Sequence, residues 1–168
     1  KQIDEGAPWP ESTRHARVVF LEKVGAAIGE VMSYRPLTIT SPLYRAWATM
    51  RLRPIEEWTV AWALPEMFAG VPDQGAEDAW WMTSLVLESS TLLGKKITGA
   101  GIDLRKCFDQ INRRLVVMLL LAAGMPPQIV RAYDSFHSNL FCYNSLAGGF
   151  GKPYHKELSI PQGCPLSM

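Results

Sequence analysis

Cysteine is scarce in this sequence, and its arrangement excludes two classes of protein. Cys107, Cys142 and Cys164 are odd in number and lack Cys-x-x-Cys spacing, which argues against a disulfide framework and against a structural zinc site. A reducing compartment fits best. Charge of one sign is also lacking: 17 Lys and Arg face 16 Asp and Glu, for a net charge of +1. No bulk electrostatic footprint for nucleic acid is therefore present. Long apolar runs are missing too, because the longest candidate, Leu115 to Ala123, falls far short of a bilayer span. No secretory signal pattern is present, so a soluble chain with no membrane partner is expected. His15, His137 and His155 are isolated and show no metal-ligand spacing, and no internal repeat is visible. What the chain does have is 168 residues with 48% hydrophobic content, enough for one domain with a sizeable core. It begins in mid-pattern at Lys1 and stops at Pro165-Leu-Ser-Met168, which reads as a fragment.

Along the chain, Lys1 to Arg14 carry Gly6, Pro8 and Pro10 without periodicity and read as an irregular lead-in. Arg17-Val-Val-Phe-Leu-Glu-Lys23 and Tyr34-Arg-Pro-Leu-Thr-Ile-Thr40, separated by a Gly25 to Gly29 loop, predict a hairpin. Ser41 followed by Pro42 is a helix start, with serine as N-cap and proline at the first helical position. Pro54 should interrupt that helix, and Ile55 to Trp62 should resume as a second piece with Trp58 and Trp62 one turn apart. From Ala76 to Leu93 apolar residues recur at helical spacing, Glu77 and Asp78 favour the first turn, and Gly94-Lys-Lys96 ends it. Within this helix Trp80-Trp81 reads as core rather than as a base-stacking pair. Helices are also predicted over Gln110 to Ala123 and Gln128 to Ser138. A second hairpin pairs Leu140 to Leu146 with Tyr154 to Ile160 around a Gly148 to Pro153 loop.

The stretch Gly99 to Ile111 is the one the rest is organised around. Ile97 to Leu104, following the turn-like Gly94-Lys-Lys, reads as a buried strand with Asp103 at its C-terminal end. Asp103 could cap the next helix, although Asp109 is better placed for that task, just before Ile111.

Gly101-Ile-Asp-Leu-Arg-Lys-Cys-Phe-Asp109 and Ile160-Pro-Gln-Gly-Cys-Pro-Leu-Ser167 follow in that order with a hairpin between them. They resemble reverse transcriptase motifs, in the branch of non-LTR retrotransposon and group II intron enzymes. Tyr34-Arg-Pro-Leu-Thr-Ile39 and Leu43-Tyr-Arg-Ala-Trp47 are similar to the same family's fingers segment. The resemblance runs from about Val18 to the last residue. It implies an α/β (α+β) right-hand polymerase fragment: lead-in 1–16, fingers-like region 17–96, and a partial palm 97–168 truncated before the paired-aspartate turn. The implied activity is that of an RNA-directed DNA polymerase, a nucleotidyltransferase adding deoxynucleotides by two-metal chemistry. Its partners would be an RNA template, a DNA primer and a dNTP. The fragment alone is expected to be inactive, because that turn and the thumb should lie after Met168.

The resemblance also assigns roles. Asp103, with the carbonyl of Leu104, would hold Mg2+ or Mn2+, consistent with the hard oxygen ligands that phosphoryl transfer needs. Backbone amides of Lys106 and Cys107 would face the triphosphate, Arg35 would contact it through its planar fork, and Lys23 resembles a fingers lysine. Phe108 would pack beneath the sugar and exclude a 2′-hydroxyl. Gln162 and Gly163 would line the nucleotide, the glycine allowing close backbone approach. Arg45, Arg51 and Arg53 read as a solvated helix face more readily than as a template track. Two alternatives stand: an RNA-directed RNA polymerase, against which Phe108 speaks, and a noncatalytic polymerase-derived RNA-binding scaffold. Residence would be intracellular, and nuclear if the element is a eukaryotic retrotransposon.

Overall fold

The computed structural model describes residues 1–25, 27 and 29–166, so part of the expected Gly25 to Gly29 loop lies outside the described residues. In chain order the elements are β1 (His15–Glu22), β2 (Tyr34–Ile39), α1 (Pro42–Trp62), α2 (Ala76–Leu92), α3 (Cys107–Gln110), α4 (Arg113–Ala122), α5 (Pro127–Ser138), β3 (Phe141–Leu146) and β4 (Gly149–Phe150). The fold class is mixed α/β, with a four-stranded sheet in the order β2-β1-β3-β4. Two compact units divide the chain: Lys1–Leu52 together with the stretch from Lys106 onward, and Arg53–Arg105.

In the first unit the expected hairpin forms, with β1 and β2 antiparallel and Val18 opposite Thr38. β3 then joins the other edge of β1 in parallel, His15 opposite Phe141 and Arg17 opposite Tyr143. Alternation along β1 sends Ala16 and Val18 inward, where they are 2% and 1% exposed, and leaves His15 and Arg17 in solvent. The second predicted hairpin is tighter than its sequence suggests. Ala147 and Gly148, at φ +49° and +81°, make a two-residue reversal of the kind that matches strand twist, and β4 follows at once. Tyr154 to Ile160 forms no strand beyond one bridge from Tyr154 to Cys142. Ser159, at φ +96°, turns the chain away from extended geometry.

The core of this unit is aromatic. Tyr44 and Phe136 are fully buried and stack with centroids 3.6 Å apart. Trp9 packs edge-on against Tyr44, Trp47 and Phe136 and donates its indole N–H to the Ala132 carbonyl at 2.9 Å. The lead-in is thus no loose tail: a large ring followed by Pro10 is held where its apolar area is removed from water. Asp4 extends the tether by accepting from Trp47 Nε1 at 2.9 Å and pairing with Arg51. The Arg51 bond holds its carboxyl below the usual range.

Other corrections have local causes. α1 runs through Pro54 without a break, because proline's φ fits a helix and only one i→i−4 bond is lost. The helix expected over Gln110 to Ala123 is split at Ile111–Asn112. Asn112, not Asp109, is the N-cap of α4, its Oδ1 accepting from Arg114 and Leu115 N–H at 3.0 and 3.4 Å.

In the second unit α2 forms as predicted. The Asp78 carboxylate accepts from the Gly75 N–H at 2.7 Å, and Gly94 leaves the helix at φ +64°. None of its described residues is buried. An apolar groove of about 370 Å³ is lined by Met82, Val86, Leu87 and Ile97.

Candidate functional site

Asp103 and Leu104 belong to the second unit. Residues 97–104 form no strand, and among the described residues none of 97–105 makes a backbone–backbone hydrogen bond. Ile97, Ile102 and Leu104 are 49%, 90% and 67% exposed, and Asp103 is exposed with them. A strand exists through its ladder partners, and Gly99 and Gly101 add backbone entropy against an unpaired extended segment. The buried strand that the apolar run predicts is therefore absent. Among the described residues, no three His, Cys, Asp or Glu side chains converge to hold a metal ion. The residues present do not make up the ligand set of a two-metal centre: at this point the chain offers one carboxylate and one carbonyl.

The other predicted residues lie in the first unit. Lys106, exposed, adopts the left-handed region at φ +52° and starts the single turn of α3. Cys107 is half-buried, and Phe108 is 39% exposed. The carbonyls of Phe108 and Ile111 accept from Ile160 N and Ser159 N, each at 2.9 Å. This pairing seats α3 against the segment that leads directly into Pro161-Gln162-Gly163. On the far side of that loop the Gln162 carbonyl accepts from Thr38 N at 2.8 Å, attaching it to β2, which carries Arg35 three residues earlier. Arg35 is exposed.

Gly163 shows why this attachment is specific. Its φ is +101°, and a Cβ there would lie 2.8 Å from the Thr38 carbonyl oxygen and 2.9 Å from Leu37 Cδ1. Only glycine allows the loop to lie this close to β2. Backbone hydrogen bonds therefore link α3, the Gln162–Gly163 loop and the strand bearing Arg35. Lys23 stands at the end of β1, where its N–H donates to Ser33 O at 2.8 Å and its Nζ to Met32 O at 2.9 Å. Of the helix arginines, Arg51 is tied to Asp4 and Arg53 lies 3.7 Å from Glu57.

Behind the loop is a buried polar cluster that sequence spacing does not reveal. The Tyr44 hydroxyl lies 3.0 Å from His137 Nε2 and 3.1 Å from Cys164 Sγ, and Sγ lies 3.7 Å from Nε2. Cys164 follows Gly163 directly, so the cluster holds the loop from the core side. Burial, with Arg113 nearby as a second cause, pushes His137 down to about 3, so its imidazole is neutral. Burial likewise raises the Tyr44 phenol well above its usual value. Arg113, itself buried, donates to the carbonyls of His137, Lys156 and Glu157 at 3.1, 2.5 and 3.2 Å. No local signal marks these residues, since their partners are 24 to 120 positions away.

Two comparisons with known proteins bear on the reading. No family model matches the chain. Over 161 residues it is 23% identical to the "Transposon TX1 uncharacterized 149 kDa protein" of Xenopus laevis. The similarity is to a transposon protein. It covers 94% of this chain and 12% of that protein, so the chain spans about an eighth of its relative.

Proposed function

We propose that this chain is the fingers and first palm segment of a reverse transcriptase of the non-LTR retrotransposon type, an RNA-directed DNA polymerase. The observation that carries the proposal is the backbone linkage of Phe108, Gln162–Gly163 and the Arg35 strand. Three stretches far apart in sequence, each matching a motif of that family, lie along one hydrogen-bonded path. Gly163 has no room for a side chain at the point where they join. The similarity to a transposon protein along nearly the whole chain supports the same reading.

In this proposal Arg35 and the Gln162 amide contact the incoming nucleotide, and the Phe108 ring, partly open to solvent, selects a deoxyribose. Asp103 and the Leu104 carbonyl would contribute to holding Mg2+ or Mn2+ in a polymerase that supplies further carboxylates. RNA template and DNA primer are the macromolecular partners, and a nuclear site of action applies if the element is eukaryotic.

The test is primer extension on an RNA template by a polymerase containing this segment. Asp103→Asn should lower extension by about a thousandfold or more, since a metal-assisted step draws several kcal/mol of charge stabilisation from its ligands. Phe108→Val should raise ribonucleotide incorporation in the same assay. Undiminished extension by Asp103→Asn would reject the metal-ligand role of Asp103, whereas no extension by the unaltered polymerase would favour a scaffold that binds RNA without catalysis.

A further inference from the structure

α2 is apolar along one side and carries opposite charges at its two ends. Its 17 residues span about 25 Å. At spacings of three and four, Trp81, Met82, Leu85, Val86 and Leu92, continued by Leu93, fall on one stripe. These six are between 47% and 87% exposed. The other side carries Thr83, Ser84, Ser90 and Thr91, with Trp80 among them. Met82 and Val86 also line the apolar groove together with Ile97, which extends the stripe beyond the helix. Charge is divided lengthwise. Glu77 and Asp78 stand in the first turn, α2 contains no Lys or Arg, and Lys95 and Lys96 follow its C-terminal end, all four side chains being exposed. Val86 lies midway between Glu77 and Lys95.

We propose that this stripe is a self-association surface, on which two copies of the chain pair antiparallel along α2 about a twofold axis near Val86. Charge selects both the occupant and the direction. Antiparallel pairing sets Glu77 and Asp78 of each copy beside Lys95 and Lys96 of the other, so both ends are matched at once. A parallel pair would set acid against acid and base against base. Antiparallel pairing also opposes the two helix dipoles. A twofold interface uses the same patch on both partners, and a stripe whose charge pattern complements its own reverse meets that requirement. The apolar area that six large side chains offer is on the order of several hundred Å² per copy. That is close to the roughly 800 Å² per partner of a standard interface, enough for reversible pairing in the micromolar range. The pairing goes beyond the polymerase reading and does not rest on it.

The experiment is sedimentation velocity on the 168-residue chain at concentrations from about 1 to about 200 μM, at low and at high salt. The expected result is a reversible monomer–dimer equilibrium that added salt weakens. Two neighbouring indoles separate specific pairing from general stickiness. Trp81→Ala, on the stripe, should raise the dimer Kd at least about tenfold, whereas Trp80→Ala, on the other side, should change it no more than about twofold. Both indoles are exposed in the single chain, and circular dichroism checks that each variant keeps its helix. Direction is read from charge exchange. Lys95→Glu should raise Kd about fivefold, because the contact occurs twice per dimer, and adding Glu77→Lys should return it to within about twofold of the parent. A chain that stays monomeric to about 200 μM would assign the stripe to another segment of a longer polypeptide and overturn the proposal. Equal effects of the two tryptophan variants, no restoration by the charge exchange, or open-ended aggregates without a dimer would overturn it as well, whatever the polymerase assay shows.

Discussion

The two units of this chain use apolar residues in opposite ways. In the first, Trp9, Tyr44, Trp47 and Phe136 are at most 5% exposed and touch one another edge-on or stacked. In the second, Trp80 and Trp81 stand 71% and 65% exposed, and Met82, Leu85, Val86 and Leu87 are all about half exposed. An aromatic residue in a periodic helix is therefore no guide to burial. Burial depends on whether distant elements converge, as α1, α5 and the lead-in do around Phe136, and α2 has no such neighbours within its own unit.

The largest expected effect breaks the first side of this comparison. Phe136→Ala removes a fully buried ring that stacks on Tyr44 and contacts Trp9, and should cost about 3 to 5 kcal/mol of unfolding free energy. Urea denaturation followed by tryptophan fluorescence measures it, because the Trp9 and Trp47 indoles report on this core. A loss under about 1 kcal/mol would mean that the aromatic cluster is not the unit's stabilising centre.

A second test concerns the polar part of the same core. His137 is held neutral, with its affinity for protons pushed from the ordinary 6.5 down to about 3. Between those values the unfolded chain binds a proton that the folded chain does not, so folding stability should rise with pH across that window and be lost as pH falls from about 6.5 toward 3. Thermal midpoints over that range should fall by an amount equivalent to a few kcal/mol. His137→Gln should flatten this part of the profile, at the cost of a lower plateau near neutrality. The titratable and charged groups around His137 are Tyr44, Tyr133, Cys164 and Arg113, and none of them titrates ordinarily between 3 and 6.5. Asp4, held by Arg51 below the ordinary carboxylate value of 3.8, adds a loss only at the acid end of this window, and the part above about 5 belongs to the imidazole.

Local chemistry made part of this fold readable from sequence. The β1–β2 hairpin follows from two short β-rich runs, α1 starts at Ser41-Pro42, and α2 runs from an acidic first turn to Gly94; each signal is local and each element formed. Trp9 in the core and the parallel β1–β3 pairing were not readable, because they depend on segments more than a hundred residues apart. Arg113 falls within a predicted helix, and nothing beside it in sequence tells that it fastens three carbonyls. His15 and His155 are isolated in sequence and meet only across Phe141. Of the site residues, Gly163 had the clearest physical signature once its neighbours were visible, whereas the reading of 97–104 failed. A short apolar run containing glycines specifies a strand only if a partner strand is available, and none of the described residues provides one.

The smallest expected effect sharpens the second side of the comparison. Trp80→Ala removes a large indole, and a residue of that size in a packed core would cost as much as Phe136 does. At 71% exposure it has little area to return to water, and alanine is the better helix former. The two terms are small and opposed, so stability should change by no more than about 0.5 kcal/mol. Circular dichroism at helix wavelengths through a urea titration measures this without relying on tryptophan emission. A loss of several kcal/mol from Trp80→Ala would show that this indole is buried in solution, and the contrast between the two units would then lie in their partners and not in their packing.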